Sequence, residues 1–190
     1  MASDNPIIAA ITVDNFKEQF YRDFTYIDSW SNAVTYNTND EVFYEVNRKF
    51  YKCLNDGVTS VPTTGADWSL QSPDQKVSDL DITHAYAESD ITFNDQLFLD
   101  DPDLVLGYLY LSAHYLVNDL NAGGIDSNPT GITNSRSVGN VSEGYAIPEW
   151  QLKSPIYSFY TKSSYGLKYL NMITTRLAGN IISVRGATNA

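Results

Sequence analysis

The chain has little cysteine and little positive charge. Cys53 is its single cysteine, so it cannot form an internal disulfide, and no second cysteine lies nearby to build a zinc knuckle. Lys and Arg number 12 against 23 Asp and Glu, which gives a formal net charge of −11. Because this charge opposes the neutralisation of phosphates, we expect no sequence-specific binding of nucleic acid. The lone thiol suits assembly in a reducing cytoplasm.

The chain also lacks a long uninterrupted apolar segment. Its longest apolar run, Leu104 to Val117, is broken by Gly107, Ser112 and His114. The first residues show no basic region followed by a long apolar stretch, which a secretion signal would have. We therefore expect neither a membrane span nor a signal peptide.

Motifs for chemistry are absent as well. The sequence contains no glycine-rich phosphate loop, no nucleophile elbow and no zinc motif. His84 and His114 are the only histidines, and neither has a metal-ligating residue at a suitable spacing on the same helical face. We expect His114 to be a hydrogen-bonded core or interface residue. We expect no enzymatic activity, no cofactor and no bound metal.

Acidic residues cluster near the predicted starts of two central helices. Asp79 and Asp81 form one cluster, and the second contains Asp95, Asp100, Asp101 and Asp103. Carboxylates favour the positive end of a helix dipole, which explains both clusters without a ligand. A hydrolase with paired carboxylates, or a cation site, would use the same residues and remains an alternative.

What the chain does contain is apolar and aromatic material. Its 190 residues are 43% apolar and 13% aromatic, which is typical of a folded globular protein of one domain with a small insertion. It contains 14 tyrosines. Tyrosine supplies stiff contact area with a polar tip and is frequent where protein surfaces meet.

Helical periodicity occurs on both sides of a central segment, residues 30–70. Val13, Phe16, Phe20 and Phe24 recur at three- and four-residue spacing behind a cap at Thr12 or Asp14, which predicts a short helix with an aromatic stripe. A capping box at Ser78 and Asp81 predicts the start of a second helix, and another begins near Pro102 and is buried from Leu104 to Leu120. A last helix is predicted over 158–177, with a buried stripe of Gly166, Tyr169, Leu170, Ile173 and Leu177.

The segment between the first two helices has a different pattern. From residue 30 to residue 70, β-branched and aromatic residues alternate with polar ones, which indicates strands. Strands over Glu41–Val46 and Lys49–Leu54 are expected to form a hairpin that turns near Asn47 and Arg48. We therefore predict a mainly α fold, a bundle of about four helices, over 1–29 and 71–190. A small β module is inserted at 30–70, and a long loop, 122–148, joins the last two helices.

Four segments of the helical part resemble the small helical adaptor proteins that lie beneath the portal ring of tailed phages. They are Phe16-Lys-Glu-Gln-Phe20, Leu111-Ser-Ala-His114-Tyr-Leu116, Ser137-Val-Gly-Asn-Val-Ser142 and Tyr160-Thr-Lys-Ser-Ser-Tyr165-Gly166. The order and spacing of the four segments agree with the family across most of residues 12–26 and 77–177.

This resemblance implies a structural virion protein in the neck region, assembled in the host cytoplasm. It would form a ring of about twelve subunits, dock on the portal protein, extend the DNA channel and present a surface to a neck, tail-terminator or tail protein. DNA would pass without sequence-specific binding, since an acidic wall repels its backbone. The expected inter-subunit or channel-facing segment consists of Ser137, Val138, Gly139, Asn140, Val141 and Ser142.

The β module resembles small modules that bind chitin and related sugars. The matching residues are Trp30, Tyr36, Asp40, Val42, Lys49-Phe-Tyr51-Lys-Cys53, Pro62 and Trp68. Asn39 stands where those modules carry glycine, and Leu54 and Asn55 replace the expected exposed tryptophan pair. Carbohydrate binding would fall to Trp30, Tyr36, Tyr51 and Trp68. A fold this small also needs those rings for its own core, so we favour a structural decoration and keep carbohydrate binding as the alternative function.

Overall fold

We describe a computed structural model of the chain over residues 5–63, 65–73, 76–122, 135–138, 141–144 and 155–182. Helices dominate the fold, and small sheets accompany them. The chain divides into two compact units. The helical unit consists of Met1–Ile11 and Ala85–Ala190, and the β unit consists of Thr12–His84. The predicted module 30–70 lies within the β unit, which extends beyond it on both sides.

The helices have the following bounds. They are α1 (Pro6–Ala9), α2 (Val13–Gln19), α3 (Asp79–Thr92), α4 (Asp101–Ala122), α5 (Pro155–Tyr160) and α6 (Ser164–Ile182), with a 3-10 turn at Asp95–Leu97.

The strands form three small sheets. β1 (Thr25–Tyr26) pairs in parallel with β5 (Lys76–Val77). β2 (Glu41–Tyr44), β3 (Lys49–Cys53) and β4 (Trp68–Gln71) form an antiparallel sheet in that order. β6 (Ser135–Val138) and β7 (Val141–Gly144) form an antiparallel pair. The predicted hairpin is therefore confirmed as β2–β3, and Arg48 in its turn has a positive φ of 55°.

Helix α2 begins at its predicted cap but ends earlier than its aromatic stripe. The Thr12 side chain accepts from the Asn15 backbone, and the Asn15 side chain accepts from the Thr12 backbone at 2.8 Å. The helix stops at Gln19. Phe24, beyond the helix, still packs against Phe16 with ring centroids 5.8 Å apart. The aromatic stripe thus persists through tertiary packing after the helix itself has ended.

Helix α3 begins at the predicted capping box. The Ser78 backbone N–H donates to the Asp81 carboxylate at 2.8 Å, and the Asp81 backbone N–H donates to the Ser78 hydroxyl at 3.4 Å. These reciprocal bonds satisfy two backbone donors that have no partner within the helix. The predicted helix start is confirmed.

Both faces of the three-stranded sheet carry buried residues. Val42 and Tyr51 are paired across β2–β3 and belong to a cluster with Tyr36, Cys53, Val58 and Trp68. On the opposite face, Phe43 and Phe50 are paired and cluster with Ile27, with Leu80 packed against them. A sheet covered on both sides needs chain from outside 30–70. Ile27 and Leu80 meet this requirement, so the β unit extends beyond 30–70 on both sides.

The helical unit is built around α4. Leu104, Tyr108 and Leu111 of this helix cluster with Ile8, Phe98 and Tyr169. Gly107 faces the Phe98 ring so closely that an added Cβ would lie 2.6 Å from it. The predicted burial of α4 is confirmed up to Leu116, whereas Asp119 is exposed. Gly107 leaves room for the Phe98 ring.

The last predicted helix is two helices, because a break separates α5 from α6. Ser163 lies at the break, and its hydroxyl accepts from the Gly166 backbone N–H at 3.0 Å. This is the N-cap bond of a new helix. In the predicted stripe of α6, Gly166, Tyr169 and Leu170 are buried, whereas Ile173 is half-buried. The side chain of Leu177 lies outside the described residues.

Candidate functional site

The four rings predicted for sugar binding come together, but most of their surface is in the core. Tyr36, Tyr51 and Trp68 are only 7%, 3% and 2% exposed. Their polar tips are also bonded within the unit. The Trp68 indole N–H donates to the Ser60 carbonyl at 3.1 Å, and the Tyr51 hydroxyl accepts from the Asn47 amide at 2.7 Å. Stacking on a sugar requires an open ring face, which these three rings do not offer.

Trp30 differs from the other three because it is half-buried. It packs edge-to-face against Tyr44, with ring centroids 5.8 Å apart, at the margin of the same cluster. Its indole N–H is buried and has no hydrogen-bond partner among the described residues. A single half-covered ring is a smaller platform than the sequence predicts for a carbohydrate site.

The predicted inter-subunit segment forms part of a hairpin. Ser137 pairs with Ser142, and Val138 pairs with Val141. Gly139 and Asn140 lie outside the described residues. The long loop predicted between the last two helices therefore contains β6 and β7. The signal in the sequence is the Gly-Asn pair between two short runs, which is typical of a hairpin.

His114 lies at the contact of α4 with the α5–α6 break. Its ring is 0% exposed, and Nδ1 lies 2.7 Å from the Ser163 hydroxyl oxygen. That oxygen also accepts from the Gly166 backbone N–H. The Asn118 amide nitrogen lies 3.1 Å from Nε2. Because an amide nitrogen can only donate, the Asn118 amide donates to Nε2, and the neutral ring donates its Nδ1 proton to the Ser163 hydroxyl. Both ring nitrogens thus have partners, and the prediction of a hydrogen-bonded core histidine is confirmed.

The surroundings of His114 keep it neutral. Burial lowers the pKa of its imidazole to about 4, and the charge of Lys162 acts in the same direction. The rings of Phe159 and Tyr160 lie with centroids 4.7 and 5.6 Å away. A neutral, enclosed imidazole with an N-cap serine as partner joins helices; it offers no open face to a substrate.

A second polar contact inside the helical unit also joins two helices. The Tyr108 hydroxyl of α4 donates to the Asp90 carboxylate of α3 at 2.8 Å. Burial raises the pKa of Tyr108, and the bond to Asp90 adds to the shift. This phenol therefore remains protonated and acts as a fixed donor.

Three acidic residues of the two predicted clusters each have a different partner. Asp79 pairs with Lys17 at 2.8 Å, Asp103 pairs with Arg176, and Asp95 accepts from the Asn5 amide at 3.0 Å. Within the described residues, no three His, Cys, Asp or Glu side chains come together as a metal site. In the same part of the chain, no helix combines the length and the apolar character needed to cross a membrane.

Comparisons of the chain with protein-family models, with curated proteins and with solved structures each found no match. The function therefore has to be argued from the residues of this chain alone.

Proposed function

We propose that the chain is a structural, non-catalytic subunit of a tailed-phage virion, a head-to-tail connector. In this role, about twelve copies form a ring beneath the portal, extend the DNA channel and dock the neck or tail. The helical unit is the ring-forming part, a bundle of about four helices. The β unit is a peripheral decoration that contacts a neighbouring protein.

The observation that carries the proposal is a contact between two of the four adaptor-like segments. His114 belongs to the segment in α4, and Ser163 belongs to the segment at the α5–α6 break, 49 positions further along the chain. Their side chains meet at 2.7 Å. An alanine at Gly166, in the same segment as Ser163, would place its Cβ 2.6 Å from His114 Nδ1. Two segments that resemble the same family in sequence therefore contact each other in the structure.

The hairpin supports the proposal by its position. β6 and β7 lie between α4 and α5 in the chain, and α4 and α6 pack against each other. The hairpin therefore belongs to the chain connection between these helices. Such an element suits a contact with the next subunit or with the channel.

Co-assembly with the portal ring of the same phage tests the proposal. Single-particle imaging of the mixture should show a ring bound at the tail-facing end of the portal, with the portal's symmetry. A variant with residues 137–142 replaced by a six-residue Gly-Ser linker should lose the ring. Val46→Ser, at an exposed turn of the β unit, is the matched control and should retain it.

Two results would count against the connector. One is the absence of any complex with the portal at high protein concentration. The other is retention of the chain on insoluble chitin, lost in Trp30→Ala, without portal binding. The second result would support the carbohydrate-binding alternative.

A further inference from the structure

Charge is segregated along the helical unit. Between Ala85 and Arg136 the sequence holds eight Asp and Glu residues and no Lys or Arg. After Glu149 it holds five Lys and Arg residues and no Asp or Glu. One ion pair joins these two segments within the described residues, between Arg176 and Asp103. The segregation leaves each segment with an excess of one sign.

Two of these negative charges follow an exposed leucine just before α4. Leu99 is 90% exposed, and Asp100 and Asp101 beside it are exposed too. Neither carboxylate forms an ion pair with any described residue. The preceding Phe98 is buried, and it stacks on Phe93 with ring centroids 5.2 Å apart. We call Leu99, Asp100 and Asp101 the acidic patch.

One of the positive charges lies on an exposed part of α6. Leu167 and Lys168 are exposed there. The Lys168 ammonium lies 5.1 Å from the centroid of Tyr110 and 5.6 Å from that of Tyr165. These rings hold the cation in place, and it forms no ion pair with a described residue. We call Leu167 and Lys168, with the Tyr165 ring, the basic patch.

The two patches lie at different positions along the axes of α4 and α6. The ion pair with Arg176 marks the start of α4 at Asp103, whereas Lys168 lies over Tyr110. Seven residues of helix separate Asp103 from Tyr110, a rise of about 10 Å. Contact between the patches therefore uses a different surface on each copy. A repeated contact of this kind closes into a ring or extends as a filament.

We propose that neighbouring copies of this chain associate head to tail, with the acidic patch of one copy against the basic patch of the next. Charge complementarity identifies a second copy of the chain as the partner. Each patch has an exposed leucine beside a charge that forms no ion pair with a described residue, and the two charges have opposite signs. Leu99 and Leu167 form the apolar centre of the contact, and Asp100, Asp101 and Lys168 form its charged rim. This inference rests on the proposed function, since it names the surfaces that build the ring.

A charge swap tests the pairing. The double variant Asp100→Lys/Asp101→Lys presents two positive patches, and Lys168→Glu presents two negative ones. Each alone should associate at least about tenfold more weakly than the wild type in sedimentation velocity at low salt. An equimolar mixture of the two should recover association, because copies can then alternate. Glu18→Lys, an exposed residue of α2, is the matched control and should stay within about twofold of the wild type.

Recovery in the mixture also shows that both variants fold. Equal association of all variants with the wild type would overturn the inference, and so would a mixture as weak as its components.

A second experiment locates the contact. A Leu99→Cys chain mixed with a Leu167→Cys chain should form a disulfide-linked dimer under mild oxidation, whereas each alone should not. The native Cys53 is buried, and the wild-type chain, which has only this cysteine, gives the background level of disulfide-linked dimer. Absence of the crosslink while wild-type rings form on the portal would overturn the inference and leave the connector function standing. Swap-sensitive association without portal binding would support the contact and overturn the connector. A wild type that neither binds the portal nor associates overturns both.

Discussion

The two units differ in what fills their cores. The β unit buries aromatic rings on both faces of one small sheet, with Tyr51 and Trp68 on one side and Phe43 and Phe50 on the other. The helical unit buries polar side chains that bond one another, including Ser89 with Ser112 at 3.0 Å. The helical unit also has an apolar and aromatic cluster around α4, and its bonded polar side chains are an addition to that cluster.

The comparison teaches how misleading a residue type can be. Exposed tryptophan and tyrosine are typical of binding surfaces, yet here such rings fill a core too small to do without them. A serine beside a histidine suggests catalysis, yet Ser163 caps a helix and His114 fills the gap between helices. In each unit, burial decides the role.

The largest effect is expected from Trp68→Ala in the β unit. Trp68 is 2% exposed and packs against Tyr36 with ring centroids 5.5 Å apart, so its removal should cost about 3–5 kcal/mol. Leu70→Ala, in the same strand but 48% exposed, is the control and should cost less than about 1 kcal/mol. Urea unfolding, with hydrogen exchange of β3 amides, measures both. Equal losses would show that ring volume does not govern this core.

The next effect is expected from Gly166→Ala in the helical unit. The added Cβ would meet the Tyr160 carbonyl oxygen as well as His114, and backbone cannot yield as a flexible side chain does. We expect a loss of about 2–3 kcal/mol in urea unfolding. Gly65→Ala is the control, because nothing lies within 4 Å of its Cβ position and its φ is not positive. A neutral result at Gly166 would contradict the close approach.

A pH effect of about 2 kcal/mol should come from His114. Its folded pKa of about 4 lies below the value of 6.5 in the unfolded chain, so the unfolded state binds more protons between these values. Stability from this group is present above pH 6.5 and falls as the pH drops toward 4. Urea unfolding at pH 7 and pH 5 measures the loss. His114→Gln should reduce the slope, whereas His84→Gln, at an exposed site, should leave it unchanged.

The smallest effect is expected from Ser78→Ala in the β unit. The change removes one acceptor of the capping box at the start of α3 and should cost about 1 kcal/mol. Asp81→Asn keeps an acceptor for the Ser78 backbone and should cost less. Thermal unfolding followed by circular dichroism gives both values. If Ser78→Ala lowered the free energy of unfolding more than Gly166→Ala does, the helix cap would matter more than the tertiary contact, contrary to this prediction.

Local features of the fold were predictable because their partners are near in sequence. The bonds of Thr12 with Asn15, and of Ser78 with Asp81, span three residues. The β2–β3 hairpin closes over a four-residue turn. The break at Ser163 was not predicted, although its cap bond from Gly166 also spans three residues. The contact of Ser163 with His114, 49 residues away, could not be predicted from local pattern.

The candidate sites were predictable as groups but not in their roles. The resemblance to sugar-binding modules grouped Trp30, Tyr36, Tyr51 and Trp68, and the structure places them in one cluster. Their burial depends on packing against residues outside the strands, such as Val58. No spacing rule carries that information.

The sequence by itself determined the helix caps, the hairpin register and the segregation of charge, because each depends on neighbours within a few residues or on composition alone. Tertiary structure alone decided which aromatic rings are buried, which oxygen His114 meets and where Leu99 and Lys168 stand on the α4–α6 pair. Burial is a property of segments that are distant in the chain, and it sets both the free energy and the chemistry of the groups it encloses.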